Sequence, residues 1–138
     1  MRVRGNACKK PRCKRPGTES GFCKTHLKAE CDRLFSLIIR SRGRCECEGT
    51  HVGNLQCMHG FSRRYLGTRW DERNAFCGCA RHHMVFTHDP IRWDLWMLDR
   101  LGLELYSELR ERALSTDKTD LVATYDSLVL RAREMELA

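Results

Sequence analysis

The chain has no apolar run approaching the roughly eighteen residues that a membrane-spanning helix requires, so no membrane partner is expected. Behind its basic opening, MRVRGNACKKPRCKR, there is no apolar core, and a secretory signal is not expected either. A chain that is not exported works in a reducing, cytoplasmic setting, where disulfides are disfavoured. Its cysteines number nine, an odd count that a closed disulfide framework does not use up. Internal repeats and low-complexity segments are absent. The 138 residues therefore suit one domain of ordinary size with a small appendage.

What is present points to metal and to a polyanion. Nine cysteines and six histidines are many for this length, and zinc accounts for them better than disulfides do. The net charge of +7 is unevenly spread. Residues 1–50 carry thirteen Lys and Arg against five acids, residues 51–100 seven against five, and the last thirty-eight five against eight. A basic front and an acidic helical tail predict that nucleic acid meets the first two-thirds of the chain.

Taken in order, CKKPRCKRPGTESGFCKTH offers Cys8, Cys13, Cys23 and His26 as ligands of a first tetrahedral zinc. No apolar periodicity exists in this stretch, so metal-binding free energy has to replace the missing burial. Lys9, Lys10, Arg12, Lys14 and Arg15 surround the knuckle (residues 1–26) as candidate phosphate contacts. A linking helix over 27–41 places Leu27, Cys31, Leu34, Phe35 and Ile38 on one apolar stripe, with Thr25 as a possible cap. Cys31 lies on that stripe and reads as a small buried residue, not a ligand.

Residues 45–57, with Gly49, Gly53 and Asn54 supplying turn chemistry, read as the start of a strand-turn-strand. Cys45 and Cys47 pair with Cys79 and His82 as a second zinc site, and Cys77 in place of His82 is the rival set. His51 and Cys57 are lesser candidates, read as a loop residue and a core thiol. From Pro90 to about 136 the pattern is helical. It breaks near Gly102, Trp93, Trp96, Met97, Leu101, Leu105 and Leu109 form its core stripe, and a final helix runs from about Asp120 to Met135.

The centre of the chain is LQCMHGFSRRYLGTRWDERNAFCGCARHH, residues 55–83. Asn74 follows His59 by fifteen residues and His83 follows Asn74 by nine, which is the layout of an HNH, or ββα-metal, nuclease site. In that layout His59, on the second strand, takes the proton from water, because an imidazole titrates near neutrality. A divalent ion, magnesium or manganese, bound by His83 polarises the phosphate. Asn74 hydrogen-bonds backbone across the loop and holds His59 at the right angle. Arg63, Arg64 and Arg69 contact the DNA backbone. Magnesium prefers oxygen ligands, so a carboxylate is expected beside His83. Asp71 is the nearest, with Asp89 and His88 behind it. Met58 stands where many such sites carry an acid or a second histidine.

ECDRLFSLIIRSRGRCECEG, the central stretch and W-x-x-WMLDRLGLELYSELRERA together resemble the NinG/Rap recombination endonucleases of lambdoid and other tailed phages, over about residues 27–135. The resemblance implies an HNH fold, zinc, a divalent cation and cleavage of branched recombination intermediates such as Holliday junctions or D-loops, in the cytoplasm of a bacterial host. His59 and Asn74 match the family's histidine and asparagine. His83 stands where the family has Asn or His, after a clip of two cysteines that is Cys79 and His82 here.

The expected architecture is α+β: a basic zinc knuckle over 1–26, then a nuclease domain over 27–138. Within that domain the ββα core covers 45–88 and C-terminal helices 90–136. Symmetric resolution of a four-way junction needs two active sites, so a homodimer is a reasonable expectation. The reading from another class is a zinc-dependent DNA-binding module without catalysis, which Met58 favours. A third is a protein-interaction adaptor docking through its acidic helices.

Overall fold

The computed structural model describes residues 6–137; the first five residues of the basic opening, and Ala138, lie outside the described residues. The architecture mixes helices with one small sheet. In chain order it comprises α1 (Lys24–Arg40), β1 (Leu55–His59), α2 (Leu66–Arg69), a 3₁₀ turn (Glu72–Asn74), β2 (Ala75–Cys79), α3 (Ala80–His88), α4 (Pro90–Leu101), α5 (Leu103–Leu114) and α6 (Leu121–Glu134). Among the described residues, no helix is long and apolar enough to cross a membrane.

The chain divides into two compact units. One holds residues 1–38 and 119–138, the other 39–118, so α6 groups with the knuckle and the division does not fall at 26/27.

In the first unit the predicted stripe of α1 is buried: Leu27, Cys31, Leu34, Phe35 and Ile38 are all at most 3% exposed. Cys31 is a core residue, as its place on the stripe implied. The buried Glu30 takes Lys10 of the knuckle at 2.7 Å and Arg33 at 3.0 Å, tying the irregular segment to the helix. Asp120 caps α6 by accepting from the Ala123 N–H, and the helix buries Leu128 and Ala132. Tyr125 of α6 meets the edge of Phe22 at 5.9 Å.

The second unit is organised on a two-stranded antiparallel hairpin. Leu55 pairs with Cys79, Cys57 with Cys77 and His59 with Ala75. Residues 45–54 form no strand, which corrects the expected strand-turn-strand there, and His59 ends the first strand, not the second. The stretch 45–54 works instead as a lid on the start of α3: the Ala80 N–H donates to the Asn54 carbonyl and the Arg81 N–H to the Val52 carbonyl. Two N–H groups that a helix start leaves unpaired are thereby satisfied. At Gly53, with φ +89°, a Cβ would come within 2.6 Å of the Ala80 Cβ, so only glycine lets the loop lie this close.

One face of the hairpin and the helices behind it build the core, from Cys47, Met58, Phe76, Phe86 and Met97 with Trp93 and Trp96 packed against them. The two tryptophans stack at 5.2 Å, and Phe76 presents an edge to each. Asp89 caps α4 with Pro90 in its first turn, and Gly102 (φ +80°) separates α4 from α5.

Candidate metal centres and active site

Cys8, Cys13, Cys23 and His26 come together with all four ligand atoms within 4.8 Å of one another. The turns that achieve this are backbone-bonded: the Cys8 N–H to Arg15 O, Cys13 N–H to Lys10 O and Lys9 N–H to Gly21 O. Cys23 immediately precedes α1, so His26 is delivered by its first turn. The Cys8 and Cys23 Sγ atoms each lie 3.3 Å from His26 Nδ1, and Cys13 Sγ lies 3.9 Å from Cys23 Sγ. Tetrahedral zinc with ordinary bond lengths has edges of about 3.8 Å between sulfurs and about 3.5 Å from sulfur to nitrogen. The donor set fits that ion. Burial pushes the Cys8 thiol up, but backbone N–H groups of Cys23 and Lys10, with His26 and Cys13, bring it down to about 6. A thiolate is the form a metal takes.

The second cluster is Cys45, His51, Cys79 and His82, again within 4.8 Å. His82 Nδ1 stands 3.4 Å from Cys45 Sγ and 3.1 Å from Cys79 Sγ, and the His51 and His82 rings are 5.3 Å apart. These distances also suit zinc. Cys79 occupies the position just before α3, without a side-chain capping bond. Burial raises its thiol, but the His82 and Val52 backbone and the His51 and His82 rings draw it down to about 6.

This set holds His51 where Cys47 was expected. Cys47 lies beside Cys45 and is buried against the apolar core, and it falls outside this group of four. The glycine turns at 49 and 53 instead bring His51 back over α3. A pattern signal existed, a histidine between two glycines in a cysteine-flanked loop, but spacing alone gave it no partner. The rival ligand Cys77 faces Cys57 across the hairpin.

His59, Asn74 and His83 occupy a strand end, the residue before the facing strand, and the first turn of α3. His59 Nε2 lies 3.0 Å from the Arg69 carbonyl. A carbonyl only accepts, so Nε2 carries the proton and Nδ1 is the basic nitrogen of the ring. Asn74 is fully buried, and its amide spans the loop between the strands. Its Oδ1 accepts from the Phe61 N–H at 2.7 Å, while its Nδ2 donates to the Phe61 and Thr68 carbonyls at 3.1 Å each. Gly60 is packed against this amide, since a Cβ there would sit 2.7 Å from Asn74 Oδ1 and from Met97 Sδ. Trp93 Nε1 donates to the Gly60 carbonyl at 2.9 Å.

His83 Nδ1 is 2.7 Å from Gln56 Oε1, and Gln56 Nε2 turns to Asn54. Nδ1 therefore donates, and Nε2 is the nitrogen suited to a metal. Burial, then the charge of Arg63, lowers the His83 pKa and keeps the ring neutral. Gln56 escaped sequence reasoning because its role depends on α3 folding back over β1.

Asp71, expected beside His83, caps the 3₁₀ turn and pairs with Arg73 and Arg112, both at 3.0 Å. Burial raises its pKa, but Arg73 and Arg112 outweigh it and hold the carboxyl low. Among the described residues, no group of three or more potential ligands joins Asp71 to His83. Asp89 is committed to the cap of α4. Met58 is buried opposite Phe76 and across Gly78, where an acid would be unpaired in the core. One imidazole without a carboxylate is a poor fit to magnesium and a better one to manganese or another imidazole-tolerant ion.

Of the predicted DNA contacts, Arg63 and Arg64 are exposed in the loop after β1, and Arg69 Nη1 donates to the Arg63 carbonyl at 3.2 Å. On the knuckle, Arg12 is exposed at a turn with φ +64°, Lys9 stands 5.5 Å over the Phe22 ring, and Lys10 is held by Glu30. The chain matches no protein-family model, no curated protein and no solved structure.

Proposed function

We propose that this protein is a metal-dependent DNA endonuclease of the HNH type, akin to the NinG/Rap enzymes and directed at branched recombination intermediates. The observation that carries the reading is the buried Asn74 amide, which ties the loop at Phe61 and Thr68 while Arg69 of the same loop orients His59. An asparagine with no other task than to hold the segment around a histidine is what the spacing of His59, Asn74 and His83 calls for.

In this reading His59 keeps its Nε2 proton on the Arg69 carbonyl and accepts a proton from water at Nδ1. Arg63, Arg64 and Arg69 bind phosphate oxygens and set the strand's position. His83, held neutral and oriented by Gln56, offers Nε2 to a divalent cation. When bound, that cation supplies Lewis acidity at the phosphate and stabilises the departing oxygen. The two zinc centres brace the knuckle and the start of α3, so that His83 is presented from a fixed helix. Branch selection rests on backbone geometry and deformability, and a homodimer working in a host cytoplasm would supply the two cuts that a junction requires.

A zinc-braced DNA-binding module without turnover is the second reading. It is favoured by the engagement of Asp71 with two arginines and by the burial of Met58. Cleavage separates the two. Zinc-loaded wild type and His59→Ala are given a labelled four-way junction and a matched linear duplex with manganese or magnesium. Preferential cutting of the junction by the wild type alone supports the nuclease. Binding without cutting by both proteins establishes the module instead.

A further inference from the structure

Helix α4 carries large apolar side chains on two opposite faces, and the fold uses only one of them. On the inner side Met97 is buried, with Trp93, Trp96 and Leu101 packed against the core. At about 100° per residue, Ile91, Leu95 and Leu98 fall on the side turned away from those four. Ile91 is 76% exposed and Leu95 62%, while Leu98 is half-buried. Burial within the chain therefore does not account for this second stripe. Its spacing, three apolar residues at i, i+4 and i+7, is that of a seam between two helices.

The charges beside the stripe are arranged to select a partner. Arg92 and Asp99 stand seven residues apart, hence along the same edge of the stripe, one near the start of the helix and the other near its end. Both are exposed, and among the described residues neither enters an ion pair. The opposite edge carries a second acid, Asp94, whose Oδ1 accepts from the Tyr106 hydroxyl at 2.7 Å. One edge thus holds a base and an acid in a sequence that matches its own reverse.

We infer that the outer face of α4 pairs with the same face of a second copy of this chain, the two helices running antiparallel. With Leu95 of each copy against Leu98 of the other, the antiparallel seam brings Arg92 opposite the partner's Asp99. The twofold axis makes that ion pair occur twice. A parallel seam would instead set Asp94 against the partner's Asp99, two acids, which repel. The seam is one helix of 12 residues, short for an interface, so the dimer is expected to form reversibly in the micromolar range. The pairing does not depend on the nuclease reading; where both hold, it gives the assembly two copies of His59.

Analytical ultracentrifugation of the full zinc-loaded chain, without DNA and up to several hundred micromolar, tests the pairing. Wild type should show a reversible monomer-dimer equilibrium. Leu95→Glu, at a position that faces water in the single chain, should stay monomeric. Arg92→Glu and Asp99→Lys should each raise the dimer Kd roughly tenfold, and the two together should restore it to near the wild-type value. Both changes suit the helix dipole, an acid in the first turn and a base towards the last, so each variant should keep its fold by circular dichroism. Wild type that remains monomeric throughout overturns the pairing and leaves the stripe to a partner of another sequence. A dimer that Leu95→Glu leaves intact, or whose charge variants are not rescued by their combination, overturns it as well. None of these outcomes bears on whether the protein cuts DNA.

Discussion

Replacing Asn74 by alanine should separate the support of the site from its chemistry. The substitution removes one acceptor and two donated hydrogen bonds, leaving the Phe61 N–H and the Phe61 and Thr68 carbonyls without this partner. The bond to Thr68 is fully buried, and the two to Phe61 are partly so. An abandoned buried group costs about 1–3 kcal/mol and a partly wet bond about 0.5–1.5 kcal/mol, so the total is about 2–6 kcal/mol. That is a large share of the ~5–15 kcal/mol that holds a domain together. Zinc-loaded Asn74→Ala should therefore unfold at markedly lower urea. At temperatures where it stays folded, the Phe61 amide should lose protection in hydrogen exchange, while amides inside α4 keep theirs. Cleavage should fall more than the folded fraction does, because Arg69 no longer holds His59 in place. A loss below about 1 kcal/mol with the Phe61 amide still protected would refute the bridge as the element that organises the loop.

Other consequences follow from neighbouring features. His51→Ala should lower bound zinc from two per chain towards one, or weaken the second ion on titration with a chelator, whereas Cys47→Ala should keep both; zinc quantification by mass spectrometry decides between them. Glu46 accepts from the Cys77 N–H at 2.6 Å, from Arg42 at 2.9 Å and from Arg100 at 2.8 Å. Burial raises its pKa, but these three partners outweigh burial and leave it low. Its stabilisation is therefore complete above the unfolded value of about 4.3 and lost as pH falls through the lower folded value. Glu46→Gln should cost about 1–3 kcal/mol near neutrality. In urea titrations its difference from wild type should shrink in acid; a gap that is constant with pH would contradict the assignment. Gly60→Ala forces Asn74 or Met97 to move and should cost about 1–3 kcal/mol by thermal unfolding.

Several of these features were legible before any coordinates. The stripe of α1, the break at Gly102 and the start at Pro90 follow from periodicity and backbone chemistry that act within a few residues. The first zinc set was legible for the same reason, since its four ligands lie within nineteen residues and no other cysteine or histidine sits among them. In the second cluster five cysteines and two histidines compete, and spacing cannot rank them. The group holds His51 where spacing suggested Cys47, because the loop through Gly53 is bonded back over the start of α3.

By itself, then, the sequence determined that the protein is rich in cysteine and histidine and basic over its first fifty residues, and that His59, Asn74 and His83 stand fifteen and nine residues apart. Tertiary structure decided which donors gather and which groups support them. Gln56 reaches His83 only once α3 folds onto β1, and Asp71 finds Arg112 only when α5 lies beside α2. Hydrogen bonds and ion pairs act over a few ångströms in space and take no account of separation along the chain. The ligands and supports drawn from distant residues are accordingly the part that only the folded protein reveals.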